Sequence, residues 1–200
     1  MIYVRESVGT DAPAIEEVRR ASWWASYAGL IEETHLERAT SRQRRLKQPP
    51  DWRRTLVAVA EEHPAVVGYA SYGPERAVAS PQSETLTHAG VAGEVGEVYA
   101  IYVTPAWWST GAGRALMVAA LTGLADAGYQ RVVLWVLAGN GRARRFYERA
   151  GFAADGASNT LGDLGGVPEV RYGRPLAAKL ARLAAADAAR ENRPADTRKI

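Results

Sequence analysis

The residues of this chain best suited to chemistry are a strand carboxylate, a glycine-punctuated helix start and a tyrosine on a later, short helix. They are Glu97, Gly111-Ala112-Gly113 and Tyr147. The run from Glu97 to Leu116 reads as a strand, a turn and the entry to an amphipathic helix. The first amides of a helix have no internal partner, and the helix dipole adds partial positive charge there. A phosphate group fits such a place. Two common nucleotide motifs are disfavoured. A dinucleotide fingerprint needs a third glycine where Leu116 stands, and a P-loop needs Gly-Lys-Ser/Thr where Gly113 is followed by Arg114 and Ala115. Glu97 is a candidate general base, with Glu94 a weaker one. A surface carboxylate at a strand start would look the same.

Hydrophobic period places these residues on elements. Ile2 to Arg5 alternates weakly as a strand. Thr10 or Asp11 can cap a helix with Pro13 in its first turn, and a second helical segment covers Glu32 to Lys47 before Pro49-Pro50 stops it. Thr55 to Glu61 and Val66 to Tyr72 form a hairpin across His63-Pro64, and residues 73–93 read as a long loop. Val95 to Val103 is the next strand. By the two-residue period Glu97, Tyr99, Ile101 and Val103 share a face. Leu116, Met117, Ala120, Leu121 and Leu124 give the following helix its apolar stripe, and Gly128 ends it. Val132 to Leu137 is apolar throughout, as a strand buried on both faces should be. Asn140 can cap a short helix that ends near Ala150 with Gly151 as its left-handed terminator. Residues 153–168 read as loop, and Glu169 to Tyr172 as a last strand. This order implies an α/β domain with a mixed sheet, in which the strand–helix–strand unit at 95–137 is parallel and right-handed.

Composition narrows the class. A chain of 200 residues, 47% hydrophobic, suits one domain at 1–176 followed by an Ala-rich helix and tail at 177–200. The chain lacks cysteine, and its three histidines, His35, His63 and His88, lie far apart, so no metal site is expected. The start has no signal-peptide pattern, and no apolar run approaches the roughly 20 residues of a membrane span. A soluble cytoplasmic protein without membrane contact is expected. Net charge is +3, with Arg38, Arg42, Arg44, Arg45, Lys47, Arg53 and Arg54 clustered. No nucleic-acid motif accompanies the cluster, so a solvated helix face is favoured over nucleic-acid binding.

Two stretches carry a family resemblance. Val103-x-Pro105 is followed by Gly111, Gly113 and Leu116. Leu134-Trp-Val-Leu is followed by Asn140, Ala143 and Phe146-Tyr147-Glu148-Arg149-Ala150-Gly151-Phe152. Together they resemble the signature of the GNAT superfamily of acyl-CoA-dependent N-acyltransferases, closely over about 95–152 and in organisation over 2–176. The resemblance implies a mixed, mostly antiparallel sheet of six to seven strands flanked by helices, with a splayed central parallel pair. It implies acetyl-CoA as cosubstrate, a primary amine as acceptor, direct attack in a ternary complex, and a homodimer as a common assembly.

The resemblance also assigns roles to residues. Pantetheine would slot between Glu97–Val103 and Val132–Leu137, where a backbone N–H within Ile101, Tyr102 and Val103 would polarise the thioester carbonyl. Trp108, Ser109, Thr110, Gly111, Ala112, Gly113 and Arg114 would wrap the pyrophosphate. Asn140 would contact pantetheine amides, although helix capping alone accounts for it. Tyr147 would protonate the leaving thiolate, and Glu97 would act as base. Trp23, Tyr27, Tyr69 and Tyr99, with Trp24 and Tyr72 beside them, are acceptor-side candidates that would serve equally as core. The chain departs from the family at Trp108 and Ser109, where Gln or Arg and then Gly are usual, so Trp108 cannot supply a polar phosphate contact. That departure and the C-terminal segment motivate an alternative, a GNAT-fold domain that binds acyl-CoA or a protein with little catalysis.

Overall fold

The computed structural model describes residues 1–41, 52–61, 65–76 and 94–176. Seven strands form one sheet in the order β1-β2-β3-β4-β5-β7-β6. They are β1 Ile2–Glu6, β2 Arg54–Ala60, β3 Ala65–Pro74, β4 Val95–Val103, β5 Arg131–Leu137, β6 Ala153–Leu161 and β7 Val167–Pro175. Among the described residues, four helices flank it: α1 Ala12–Tyr27, α2 Glu33–Ser41, α3 Ala112–Asp126 and α4 Gly141–Arg149. All strand pairs are antiparallel except β4–β5. The second helix is described only to Ser41. The cluster beyond Arg38 up to Asp51, most of the 73–93 loop and the C-terminal helix and tail lie outside the described residues.

Each face of the sheet has its own core. Leu116, Met117, Ala120 and Leu124 of α3 pack with Val98, Val132, Leu134 and Val136 on one face. Burying a side chain of that size is worth about 1.5–3 kcal/mol, which is what seats the glycine-led helix on the strands. On the other face Val18 of α1 meets Val57, Val59 and Tyr69. Trp23 and Tyr27 surround Ile31, Leu36 and Leu137 on that side. Asp11 does not cap α1 through its side chain. Its carboxylate instead accepts from Arg5 Nη1 (2.6 Å) and Nη2 (2.9 Å) and from the Val8 amide (2.8 Å).

Two features of the sheet depart from the sequence reading. Residues 153–161 form an edge strand rather than a loop. Their composition is small and polar, with weak intrinsic strand preference, and pairing with β7 from Leu161↔Val167 to Ala153↔Gly173 overrides it. The second departure is a bulge in β4. Ser71 pairs with Ala100 but Tyr72 pairs with Val98, which leaves Tyr99 as the extra residue. A bulge reverses the alternation of faces. Val98, Ile101 and Val103 therefore join the core under α3, while Ala100 and Tyr102 join the core under α1. Glu97, Tyr99, Ile101 and Val103 accordingly do not share one face.

Candidate active site

The bulge coincides with an opening between β4 and β5. Their ladder consists of Val95↔Arg131, Gly96↔Val132 and Glu97↔Val133, and it stops there. From that point β4 continues on β3 as far as Val103↔Gly68, and β5 continues on β7 as far as Leu137↔Glu169. The two parallel strands therefore diverge over their C-terminal halves. Backbone direction alternates along a strand. The Thr104 amide donates to Val67 O of β3 (2.9 Å), so the amide and carbonyl of Val103 face the opening. The carbonyl is taken by Ser22 Oγ (3.0 Å) and Trp108 Nε1 (2.7 Å). The Val103 N–H is left as a donor aimed into the gap, because no acceptor meets it among the described residues.

The glycine loop borders the same gap. Ser109 has φ 64° and Gly111 φ 96°, two left-handed residues that curl the chain before α3. Amides of residues 109–114 donate to no acceptor among the described residues, since the first bond of the helix is Ala115 N to Gly111 O at 2.9 Å. Trp107, Trp108, Ser109, Gly111, Gly113 and Arg114 line a cavity of about 330 Å³ that runs to Val103, Asn140 and Tyr147. Thr110 and Ala112 do not line it. The Thr110 hydroxyl turns back to Trp107 O at 2.8 Å, and Ala112 is fully buried against the sheet.

Trp108 makes up in part for its lack of a phosphate-binding group. Its indole edge is tied to Val103, and the Arg142 guanidinium lies 3.4 Å from the ring centroid. Arg142 follows the Asn140 cap by two residues and lines the same cavity. A cation held on an aromatic ledge beside a run of free amides is a donor set suited to a pyrophosphate.

Asn140 and Tyr147 both line this cavity. Asn140 Oδ1 accepts from the Ala143 amide (3.1 Å) as the cap of α4, and Asn140 faces the cavity as well. Gly151 (φ 83°) terminates the helix as expected, and Phe152 folds back edge-on to Tyr147 at 6.2 Å. Tyr147 is buried, and burial pushes its phenol well above the ordinary tyrosine range, keeping it protonated at neutral pH.

Glu97 is not the surface carboxylate that its place at a strand start also allowed. It is 0% exposed rather than at the surface. Arg76, just past β3, occupies both of its oxygens: the amide donates to Oε2 (2.8 Å), Nε reaches Oε1 (3.0 Å) and Oε2 (3.2 Å), and Nη2 donates to Oε1 as well. Glu97 lines none of the cavities next to the gap.

The gap opens on the α1 side into a chamber of about 180 Å³, lined by Trp23, Tyr27, Tyr99, Trp135, Tyr147 and Glu169 among others. A wider vestibule of about 890 Å³ shares Trp23, Arg76, Leu161 and Leu164 with the chamber and adds Arg19, His35 and Arg38. Arg19 is clamped by Glu16 (2.6 and 2.9 Å) and lies 5.4 Å from the Trp23 ring, holding that indole in place. Trp23 Nε1 is buried and has no hydrogen-bond partner among the described residues. Of the aromatic candidates, Trp23, Tyr27 and Tyr99 face the chamber, with the Tyr27 hydroxyl on that of Tyr102 (3.0 Å). Tyr69 is in the α1-side core, Tyr72 packs under α3 and Trp24 is exposed. Sequence reasoning missed Arg76, Arg142 and Glu169. For Arg142 its place beside the Asn140 cap was a usable signal; for the other two there was none.

Comparison with known proteins agrees with this geometry. The Acetyltransferase (GNAT) family model matches residues 16–152. The chain belongs to the GNAT acetyltransferase family. A mycothiol acetyltransferase of Nocardiopsis dassonvillei is 49% identical over 74 residues, which is 34% of this chain and 22% of that protein. The chain thus spans well under half the length of the mycothiol acetyltransferases it matches. The uncharacterized N-acetyltransferase YuaI of Bacillus subtilis is 29% identical over 140 residues, 70% of this chain and 74% of that one. Among solved structures, the PaiA N-acetyltransferase of Thermoplasma acidophilum in complex with coenzyme A has a TM-score of 0.64 at 19% identity, covering 88% of this chain and 99% of that one. The seven-stranded GNAT sheet with its one parallel pair is therefore the architecture of this chain.

Proposed function

We propose that this GNAT protein transfers an acetyl group from acetyl-CoA to a primary amine by direct attack in a ternary complex. The observation that carries the proposal is the opening of β4 from β5 beyond Glu97↔Val133, with a free Val103 amide and the buried Tyr147 phenol at its rim. The gap takes the pantetheine arm, and the amides of residues 109–114 with Arg142 hold the phosphates. The Val103 N–H stabilises the negative charge that builds on the thioester oxygen. Tyr147 protonates the departing sulfur, a role that needs a phenol still carrying its proton. The acceptor enters through the vestibule beside Arg19, His35 and Arg38, on the sheet face opposite α3.

The relatives named mycothiol acetyltransferases support acetyl transfer, but the matched segments are too short a part of those proteins to carry their acceptor over to this chain. The test is free-thiol release from acetyl-CoA against ethanolamine, spermidine, L-lysine, kanamycin and an N-terminally free tripeptide, with CoA binding measured by calorimetry. Thiol release dependent on one of these acceptors is expected. Tight CoA binding without release in any arm would contradict the transfer.

A further inference from the structure

Attack by an amine requires a group that removes its proton, since an ordinary amine is mostly protonated at neutral pH. Glu97 is poorly placed to do so. Both of its oxygens are engaged by Arg76, and it has no surface on the chamber. Taking up a proton there would cost the buried carboxylate its ion pair with Arg76, whose own side chain is half exposed.

Another carboxylate meets the requirements. Glu169 of β7 stands opposite Leu137 of β5. Directly opposed residues project to the same side of a sheet, and Leu137 belongs to the core under α1 and α2. Glu169 is therefore on the acceptor side of the gap. It lines the 180 Å³ chamber together with Tyr147, Asn140 and Ile101. Its Oε1 accepts from Asn159 Nδ2 of β6 at 3.1 Å. Its Oε2 has no partner among the described residues.

We propose that Glu169 is the general base of this acetyl transfer, an inference that rests on the transfer reading above. Oε2 takes one proton from the acceptor ammonium. The freed nitrogen lone pair forms the C–N bond at the thioester carbonyl, and the C–S bond then breaks. Tyr147 gives its proton to the sulfur and regains one from the nitrogen. The products are the N-acetyl amide and the free thiol, and the proton on Glu169 passes to water through the vestibule.

The surroundings suit this role. Burial raises the Glu169 carboxyl above the ordinary glutamate range, the Asn159 amide and the Arg76 guanidinium pull it down, and the Glu97 charge pushes it up. Tyr99 of β4 and Tyr27 of α1, whose phenols are both raised by burial, face the chamber uncharged. Arg171, two residues along β7, is engaged by Glu75 (2.8 Å) and Asp155 (2.9 Å). A base raised above the usual carboxylate range takes a proton more readily than an ordinary glutamate, and the Arg76 guanidinium works against that rise by favouring the ionised form.

The experiment compares Glu169→Gln, Glu169→Asp and Glu97→Gln with the wild-type protein, using acetyl-CoA and the fastest acceptor of the five named above. It reads kcat/KM from pH 6 to 9.5, the Kd for CoA and Tm. Glu169→Gln should lower kcat/KM at pH 7 by about a hundredfold, less at pH 9.5 where the amine sheds its own proton, with CoA affinity unchanged. Its Tm should hold or rise, because the raised pKa means the ionised carboxylate weighs against the folded state. Glu169→Asp should restore part of the rate and the acid limb of the profile. Glu97→Gln should lower Tm and keep the shape of that limb. A wild-type profile in Glu169→Gln, or loss of the acid limb in Glu97→Gln alone, would overturn the assignment. A wild-type protein that binds CoA but acetylates none of the five acceptors would overturn the transfer reading and this one with it.

Discussion

The two sides of the β4–β5 opening are built from different materials. The α3 side is mostly main chain: free amides of residues 109–114, the Val103 N–H, and one guanidinium resting on the Trp108 ring. The α1 side is almost entirely side chain: Arg19 and Trp23 from α1, His35 and Arg38 from α2, Arg76 after β3, Tyr99 from β4 and Glu169 from β7. Main-chain donors suit a ligand part that is always the same, because any residue supplies an amide. Side chains drawn from many elements suit a ligand part that varies from one relative to the next. Under the proposed function, the contrast assigns the nucleotide to the first side and acceptor choice to the second.

Variants can test that division. The largest effect is expected at the junction. Tyr147→Phe should lower kcat by about a hundredfold while leaving the Kd for CoA unchanged, as read by stopped thiol assays and calorimetry. Unaltered turnover would remove Tyr147 from the chemistry. On the α3 side, Arg142→Ala should weaken CoA about tenfold, more at low salt, and leave the acceptor KM alone. If the acceptor KM moves instead, the two sides are not separate. On the α1 side, Trp23→Phe keeps a ring beside Arg19 but deletes the unpartnered Nε1 donor. It should raise the acceptor KM several-fold without touching CoA affinity.

The smallest effect on either ligand is expected at a site remote from both sides. Arg5 holds the Asp11 carboxyl below the ordinary carboxylate range, with the Val8 amide adding to the effect. A depressed folded-state pKa gives stability that is present above the unfolded pKa and lost as pH falls through the folded one. Asp11→Asn should therefore lower Tm at neutral pH, with the difference closing in acid, and both ligand constants should stay as they were.

The same division explains what could be read from the chain before its structure. Gly111-x-Gly113, the Asn140 cap, the Gly151 terminator and the apolar stripe of α3 are local signals, each contained within one turn or one helix, and the structure has all of them. Edge strand β6 was not legible because its residues favour no strand, and only its partner β7 orders it. The face taken by Ile101 and Val103 was not legible because strict alternation assumes no bulge, and the bulge at Tyr99 depends on how β3 pairs. Arg76 follows β3 and Glu169 lies on β7, 93 residues apart in sequence, and no spacing rule connects such a pair. Glu97 was visible as an acid, but its partner was not, so neither its burial nor its ion pair could be foreseen.

The most direct test of the account is a crystal structure of the protein grown with coenzyme A. The account predicts the pantetheine arm between Ile101–Val103 and the end of β5, an amide contact from Val103, phosphates on residues 109–114 with Arg142, and the sulfur within reach of the Tyr147 hydroxyl. A β4–β5 ladder that continues past Glu97↔Val133, with coenzyme A bound elsewhere or absent, would contradict it.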